Sequence, residues 1–233
     1  MNRIQHLIEP RRLLLSWQRP IAGTERRTRR IVGEIERRDE GTVFRYLPNR
    51  EDFTKAQSEG FRGFPAFGLK LDHEFTTGVL EAFGRRLPPR KREDFREYLA
   101  RFRLPESFNG SDMALLAYTG AKLPGDGFEL VPDLEGIVPP LELVIEVAGF
   151  RHQEVSAVSV APGDPVRLVP EPDNPQHAQA IAIHHASGII GYVPRPYCVA
   201  FSQWIAGHVV EAQIDRINGK PDRPLVYLFV AVS

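Results

Sequence analysis

From Arg11 to Leu47 three short blocks read as strands, the second with the apolar–polar alternation that is the period-two signature of a half-buried strand. Arg11–Trp17 and Thr28–Glu36 are the first two, the second carrying Ile31, Gly33 and Ile35 on one side and mostly charges on the other. Asp39-Glu-Gly41 reads as a turn and Thr42–Leu47 as a third strand, which makes a small antiparallel meander. The period then lengthens. Asn49 can cap a helix over Arg50–Glu59, because its side-chain oxygen satisfies orphan backbone N–H groups. Gly60–Leu71 holds three Phe and three Gly and reads as an aromatic loop packed on the sheet. Helical spacing returns at Thr77–Arg86 and Arg92–Phe102, where Phe95, Tyr98, Leu99 and Phe102 form a stripe that reads as core. Ser111 caps a further short helix, and Gly125–Pro132 closes the sheet.

A Pro-rich stretch, Val131–Pro140, separates this half from one whose period is mainly two. Strands are expected at Leu141–Phe150, Asp164–Pro170, Ala178–His185, Ile189–Val193, Val209–Ile217 and Leu225–Val232, with one helix at Tyr197–Ile205. Short strands at this spacing suggest a small barrel. The expected class is α+β: an N-terminal domain, residues 1–135, built as a small antiparallel sheet with helices, and a C-terminal domain, residues 140–233, built as an OB-like β-barrel with one helix.

Composition changes little in this picture. Apolar residues are 42% and charged residues 26% of the chain, ordinary for a globular protein. No apolar run approaches the length of a membrane span, and the N-terminus lacks the pattern of a signal peptide. Cys198 has no internal partner for a disulfide, so a cytoplasmic location is the expectation. Lys plus Arg and Asp plus Glu balance at 30 each, which excludes bulk electrostatic binding of nucleic acid. The balance hides an asymmetry: 24 basic and 21 acidic residues up to Pro140, then 6 basic and 9 acidic. Arg11, Arg12, Arg19, Arg26, Arg27, Arg29 and Arg30 cluster near the start. Such a group can meet phosphate or an acidic partner, or simply be a solvated surface.

Motifs for catalysis are missing. The chain has no Gly-rich phosphate loop, HExxH, CxxC or Gly-x-Ser-x-Gly elbow. His177, His184 and His185 match no metal-ligand spacing, Cys198 reads as a buried inert thiol, and no Ser–His–Asp set can be placed from spacing alone. A non-enzyme without metal or cofactor is expected.

The strongest local signals are Val147-Ala-Gly-Phe-Arg151, the Glu171-Pro-Asp-Asn-Pro175 run before Ala180-Ile181, and Gly191-Tyr-Val-Pro194. In this combination, over Leu141–Ser233, the chain resembles the HIRAN domain. The resemblance implies an OB-like barrel and, in a helicase-associated member, capture of the 3′-hydroxyl end of single-stranded DNA. Carried over by position, it implies that Arg151 and Arg195 contact phosphates, that Asn174 lies near the terminal nucleotide, that Phe229 stacks on a base and that Tyr192 lies near the same pocket. Three positions depart from the DNA-binding member: His152 and Gln176 stand where it has Tyr, and His177 where it has the Asp that takes the 3′-hydroxyl. Stacked aromatics contribute about 1–3 kcal/mol per base, so these departures change what the pocket can hold.

Residues 11–133 resemble the N-terminal subdomain of HipA-type kinases, also found alone as HipS. The motifs are Ile31-Val-Gly-Glu-Ile35, Arg85-Arg-Leu-Pro88 and Ala114-Leu-Leu-Ala-Tyr-Thr-Gly120 ahead of the last strand. The kinase core does not follow, so this resemblance implies docking on an effector protein. Two functions are therefore expected: an adaptor for single-stranded DNA or its 3′ ends through the second half, or an antitoxin-like interaction module through the first.

Overall fold

The computed structural model describes residues 3–20, 28–221 and 223–233. Arg26 and Arg27 of the basic cluster lie outside the described residues. The chain is a mixed α+β protein whose strand pairings are antiparallel throughout. It forms two compact units, Glu9–Tyr98 with Asn109–Asp133, and residues 3–8 with Leu99–Phe108 and Leu134–Ser233. The second unit thus takes in two segments from the chain ahead of the Pro-rich stretch.

In the first unit, β1 (Arg12–Trp17), β2 (Arg30–Arg38), β3 (Gly41–Tyr46), β4 (Glu74–Phe75) and β5 (Phe128–Pro132) pair in the order β4-β3-β2-β1-β5. One face carries Leu13, Leu15, Ile35 and Phe44, and the expected aromatic loop supplies Phe61, Phe64 and Phe67 to the same core. Burial of these rings is the main stabilising contribution. Tyr46 ties the loop down: its hydroxyl donates to the Phe67 carbonyl at 2.8 Å and accepts from the Phe64 N–H at 2.9 Å. Gly33 is required by packing, since a Cβ there would lie 2.8 Å from the Phe44 ring. Around the sheet lie α1 (Glu51–Ser58), α2 (Val79–Gly84), α3 (Phe95–Arg101), which runs into the second unit, and α4 (Asp112–Thr119). Ser111 caps α4, accepting from the Ala114 N–H at 3.1 Å. Asn49 is not the cap of α1; Arg50 occupies that position without a side-chain bond. Much of the basic cluster is internally paired: Arg12 with Asp133, Arg29 with Glu129, and Arg30 with Glu59.

In the second unit, β6 (Leu141–Glu146), β7 (Pro165–Glu171), β8 (Ala180–His185), β9 (Gly188–Tyr192), β10 (Val210–Lys220) and β11 (Arg223–Val232) form one sheet in the order β6-β11-β10-β7-β8-β9. The expected OB-like barrel is not closed: among the described residues no ladder joins the two edge strands, and the β6 side meets β9 through the bridge Ala148–Tyr192. Leu141, Leu143, Ile145, Ile214, Val226, Leu228 and Val230 are buried, and they alternate with the opposite face of β6, β11 and β10, which carries Glu142, Val144, Phe229, Gln213 and Asp215. Two of these acids anchor the added segments. Glu142 accepts from the Gln5 and His6 backbone N–H groups at 3.1 and 2.7 Å, and Asp215 accepts from Arg103 Nε at 2.5 Å. Ile4, Ile8, Leu99 and Leu104 are buried. The helix α5 (Cys198–Gly207) contributes Phe201 and Trp204 to the core. Among the described residues no helix is long and apolar enough to cross a membrane.

Candidate nucleic-acid interface

The site residues sit on three loops that leave the sheet near one another. Gly149 adopts the left-handed conformation at φ 78° and turns the chain out of the β6 side into a short 3-10 turn, Phe150–His152. Phe150 is buried while Arg151 and His152 point outward, and Arg151 Nε donates to His152 Nε2 at 3.2 Å. This turn is fixed to β9 by reciprocal backbone bonds between Ala148 and Tyr192 at 2.8 and 2.9 Å. Their closeness depends on Gly191, which has φ 138° and where a Cβ would lie 2.5 Å from the Ala148 carbonyl oxygen.

The Pro-rich run after β7 folds back on itself. Asn174 accepts through Oδ1 from the Gln176 N–H at 3.0 Å, a local turn that such side chains favour, and donates through Nδ2 to Glu171 at 2.8 Å. The Tyr192 hydroxyl bonds with both Glu171 and Asn174; burial and the Glu171 carboxylate push its ionisation up from the ordinary range. Past β9, Pro194 leads into a second 3-10 turn, Arg195–Tyr197. Arg195 Nη2 donates to the Gln176 carbonyl at 3.0 Å, which joins this turn to the Asn174 loop. His177 Nδ1 accepts from the Gln179 N–H at 3.1 Å. Burial, and then the Arg195 guanidinium, hold the His177 imidazole below its usual range, so the ring is neutral at physiological pH.

Asn174, Gln176, His177, Tyr192 and Arg195 are therefore one connected cluster, and the Ala148–Tyr192 bridge places Arg151 and His152 beside it. Phe229 stands apart and is corrected as an open stacking platform. It lies mid-strand between Val144 and Gln213 and is 7% exposed, so its ring is covered. Arg195 and Arg151 bond to a carbonyl and an imidazole, whereas Arg103 and Arg216 of the same unit are spent on the Asp215 carboxylate. Unneutralised arginines beside hydrogen-bonding side chains suit a phosphate-bearing ligand.

Sequence reasoning missed one constellation. His185 lies between Ser187, whose Oγ is 2.7 Å from Nδ1, and Asp164, whose Oδ2 is 3.2 Å from Nε2. The Ser187 N–H also reaches Nδ1 at 3.1 Å. The three close the β8–β9 turn onto the start of β7, a contact across 21 positions that no local spacing reveals. No group of His, Cys, Asp and Glu among the described residues could hold a metal ion.

The family model for the HIRAN domain matches residues 141–231. Two solved structures are similar over 39% of this chain. One is the crystal structure of the HIRAN domain of human HLTF, at 19% identity and TM-score 0.34 over 74% of that chain. The other is a protein from Lactobacillus plantarum, at 18% identity and TM-score 0.31 over 92% of that chain. No curated protein matches the chain. The likeness of residues 11–133 to HipA-type and HipS proteins stands on its sequence motifs alone. From the start of β6 to the last but one residue of β11, residues 141–231 of this chain are a HIRAN domain.

Proposed function

We propose that the HIRAN domain is a single-stranded nucleic-acid-binding module, of OB-like type, which takes DNA ends on the surface of Arg151, His152, Asn174, Gln176, His177, Tyr192 and Arg195. The chain acts as a non-catalytic adaptor. The family match over residues 141–231 carries this reading, and the site agrees with it chemically. Single strands are held by cations along the backbone and by flat side chains against bases; Arg151 and Arg195 supply the first, His152 and Tyr192 the second.

The acidic balance from Leu141 onward, 6 basic against 9 acidic residues, opposes bulk attraction but not local contact. Glu142, Asp164, Glu171 and Asp215 are each engaged by an internal donor, which lowers their repulsion of an incoming phosphate. The test is fluorescence anisotropy of the full chain with a labelled oligothymidylate and with a blunt duplex. The single strand should bind more tightly, and R151A and R195A should each weaken it. No binding of the single strand at low salt, or equal binding of the duplex, overturns the reading.

A further inference from the structure

Resting on that reading, we infer that the Arg195–His177 corner selects a terminal phosphate monoester over a terminal hydroxyl. Both side chains of the corner are donors. Gln179 donates its N–H into His177 Nδ1 at 3.1 Å, and a neutral imidazole whose Nδ1 accepts must carry its hydrogen on Nε2. His177 therefore presents an N–H. Arg195 is anchored by the Gln176 carbonyl at 3.0 Å, an uncharged partner that fixes the guanidinium without neutralising it. The remaining guanidinium N–H groups are donors as well.

A hydroxyl end has one hydrogen to give, and neither the guanidinium of Arg195 nor the Nε2–H of His177 can accept it. The nearby Glu171 is engaged by the Asn174 amide and the Tyr192 hydroxyl. A phosphate monoester brings three acceptor oxygens and about −1.5 to −2 charge at neutral pH. It satisfies both donors at once, through charge-assisted bonds.

The experiment uses the full chain and four oligothymidylates: an eight-mer with hydroxyl ends, the eight-mer with a 3′-phosphate, the eight-mer with a 5′-phosphate, and a nine-mer with hydroxyl ends. The nine-mer has as many phosphate groups as either phosphorylated eight-mer and a charge within about one unit of it, so it separates end recognition from the number of phosphates. One phosphorylated eight-mer should bind at least about tenfold more tightly than the nine-mer, the factor that one hydrogen bond to a charged group supplies. Which of the two does so tells a 3′ end from a 5′ end. H177Q, which keeps an N–H donor, should retain the preference, and H177D should abolish or reverse it. Equal affinity for all four strands, or a preference for the hydroxyl ends, overturns the inference and leaves single-strand binding standing. Failure of every strand to bind overturns both.

Discussion

Arg103 reaches Asp215 across 112 positions in sequence, donating through Nε to Oδ1 at 2.5 Å, with its side chain 11% and that of Asp215 4% exposed. Asp215 sits at the irregularity of β10 and accepts from Arg216 as well, whose guanidinium lies over the Tyr227 ring. Arg103 is itself in the left-handed region at φ 61° and receives the Ile4 N–H on its carbonyl at 2.9 Å. One residue thus holds both added segments to the HIRAN sheet. Breaking a buried pair from one side costs about 3–5 kcal/mol, and Arg216 compensates part of the stranded charge. Arg103→Ala should therefore destabilise the HIRAN unit by about 1–3 kcal/mol. Arg103→Gly should be milder, by the roughly 1–2 kcal/mol that a left-handed residue with a Cβ costs. Hydrogen exchange of the Ile4 amide checks both, and an unchanged protection factor in Arg103→Ala removes the anchor from the account.

Phe229 separates stability from binding. A ring this buried contributes packing, and Phe→Ala in a core costs about 3–5 kcal/mol. Phe229→Ala should lower the free energy of unfolding measured in urea by that amount, while the fraction that stays folded binds oligothymidylate within about twofold of wild type. A stable variant with weakened binding would return the ring to the interface.

The strand β6 was legible because it buries one face, and a period of two follows directly from that; β1 and β8, buried on both faces for most of their length, were legible as short apolar runs. Their ends fall within a few residues of the expected ones, as at β1, β8 and β11. The two-residue β4 carries no periodic signal, and Asn49 could only be placed near a helix start, one position from the cap. The long-range pieces were illegible for a common reason. Residues 3–8 reach the second sheet through backbone N–H groups, which every residue possesses, and Arg103 differs in sequence from no other surface arginine. Phe229 shows the same limit, since an aromatic at strand spacing reads alike whether its face is open or covered. The cluster of Asn174, His177 and Arg195 was found through family resemblance, because its bonds run through backbone carbonyl and amide groups.

Gly191 holds the site loops together. An added Cβ would lie 2.5 Å from the Ala148 carbonyl oxygen and 2.6 Å from Val147 Cγ1, at a φ of 138° that side chains rarely adopt. Backbone cannot yield as a flexible side chain would, so Gly191→Ala should cost about 2–4 kcal/mol. Amide exchange at Ala148 and Tyr192 should quicken most, since their mutual bonds are displaced. Exchange that stays as slow as in wild type would place the cost elsewhere.

His177 contributes a pH dependence of known sign. Its folded value lies below its ordinary one, through burial and then Arg195. The unfolded chain therefore takes up this proton first. The contribution of His177 to stability should be flat above about pH 7, fall as pH drops through about 6.5, and level off below the folded value. Oligonucleotide binding should likewise be flat from pH 7 to 8. A cationic His177 would instead lose binding as pH rises through about 6–7. Following the ring by NMR across pH 4–8 decides it: a midpoint at or above 6.5 would contradict the lowered value.

Arg195 and Arg151 differ in how they are held, and salt should reveal it. Each phosphate contact to a single strand adds about 0.7 to the slope of log affinity against log salt. Arg151→Ala and Arg195→Ala should each lower that slope by about this amount. Arg195→Lys keeps the charge and hence the slope. It loses the planar fork that reaches the Gln176 carbonyl and the ligand together, so its affinity should fall, by a factor independent of salt. Among the described residues Arg151 bonds to the exposed His152 ring instead of a backbone carbonyl, and Arg151→Lys should leave affinity nearly unchanged. Equal losses in the two Lys variants would show that both arginines act as point charges and that the carbonyl anchor has no part in recognition.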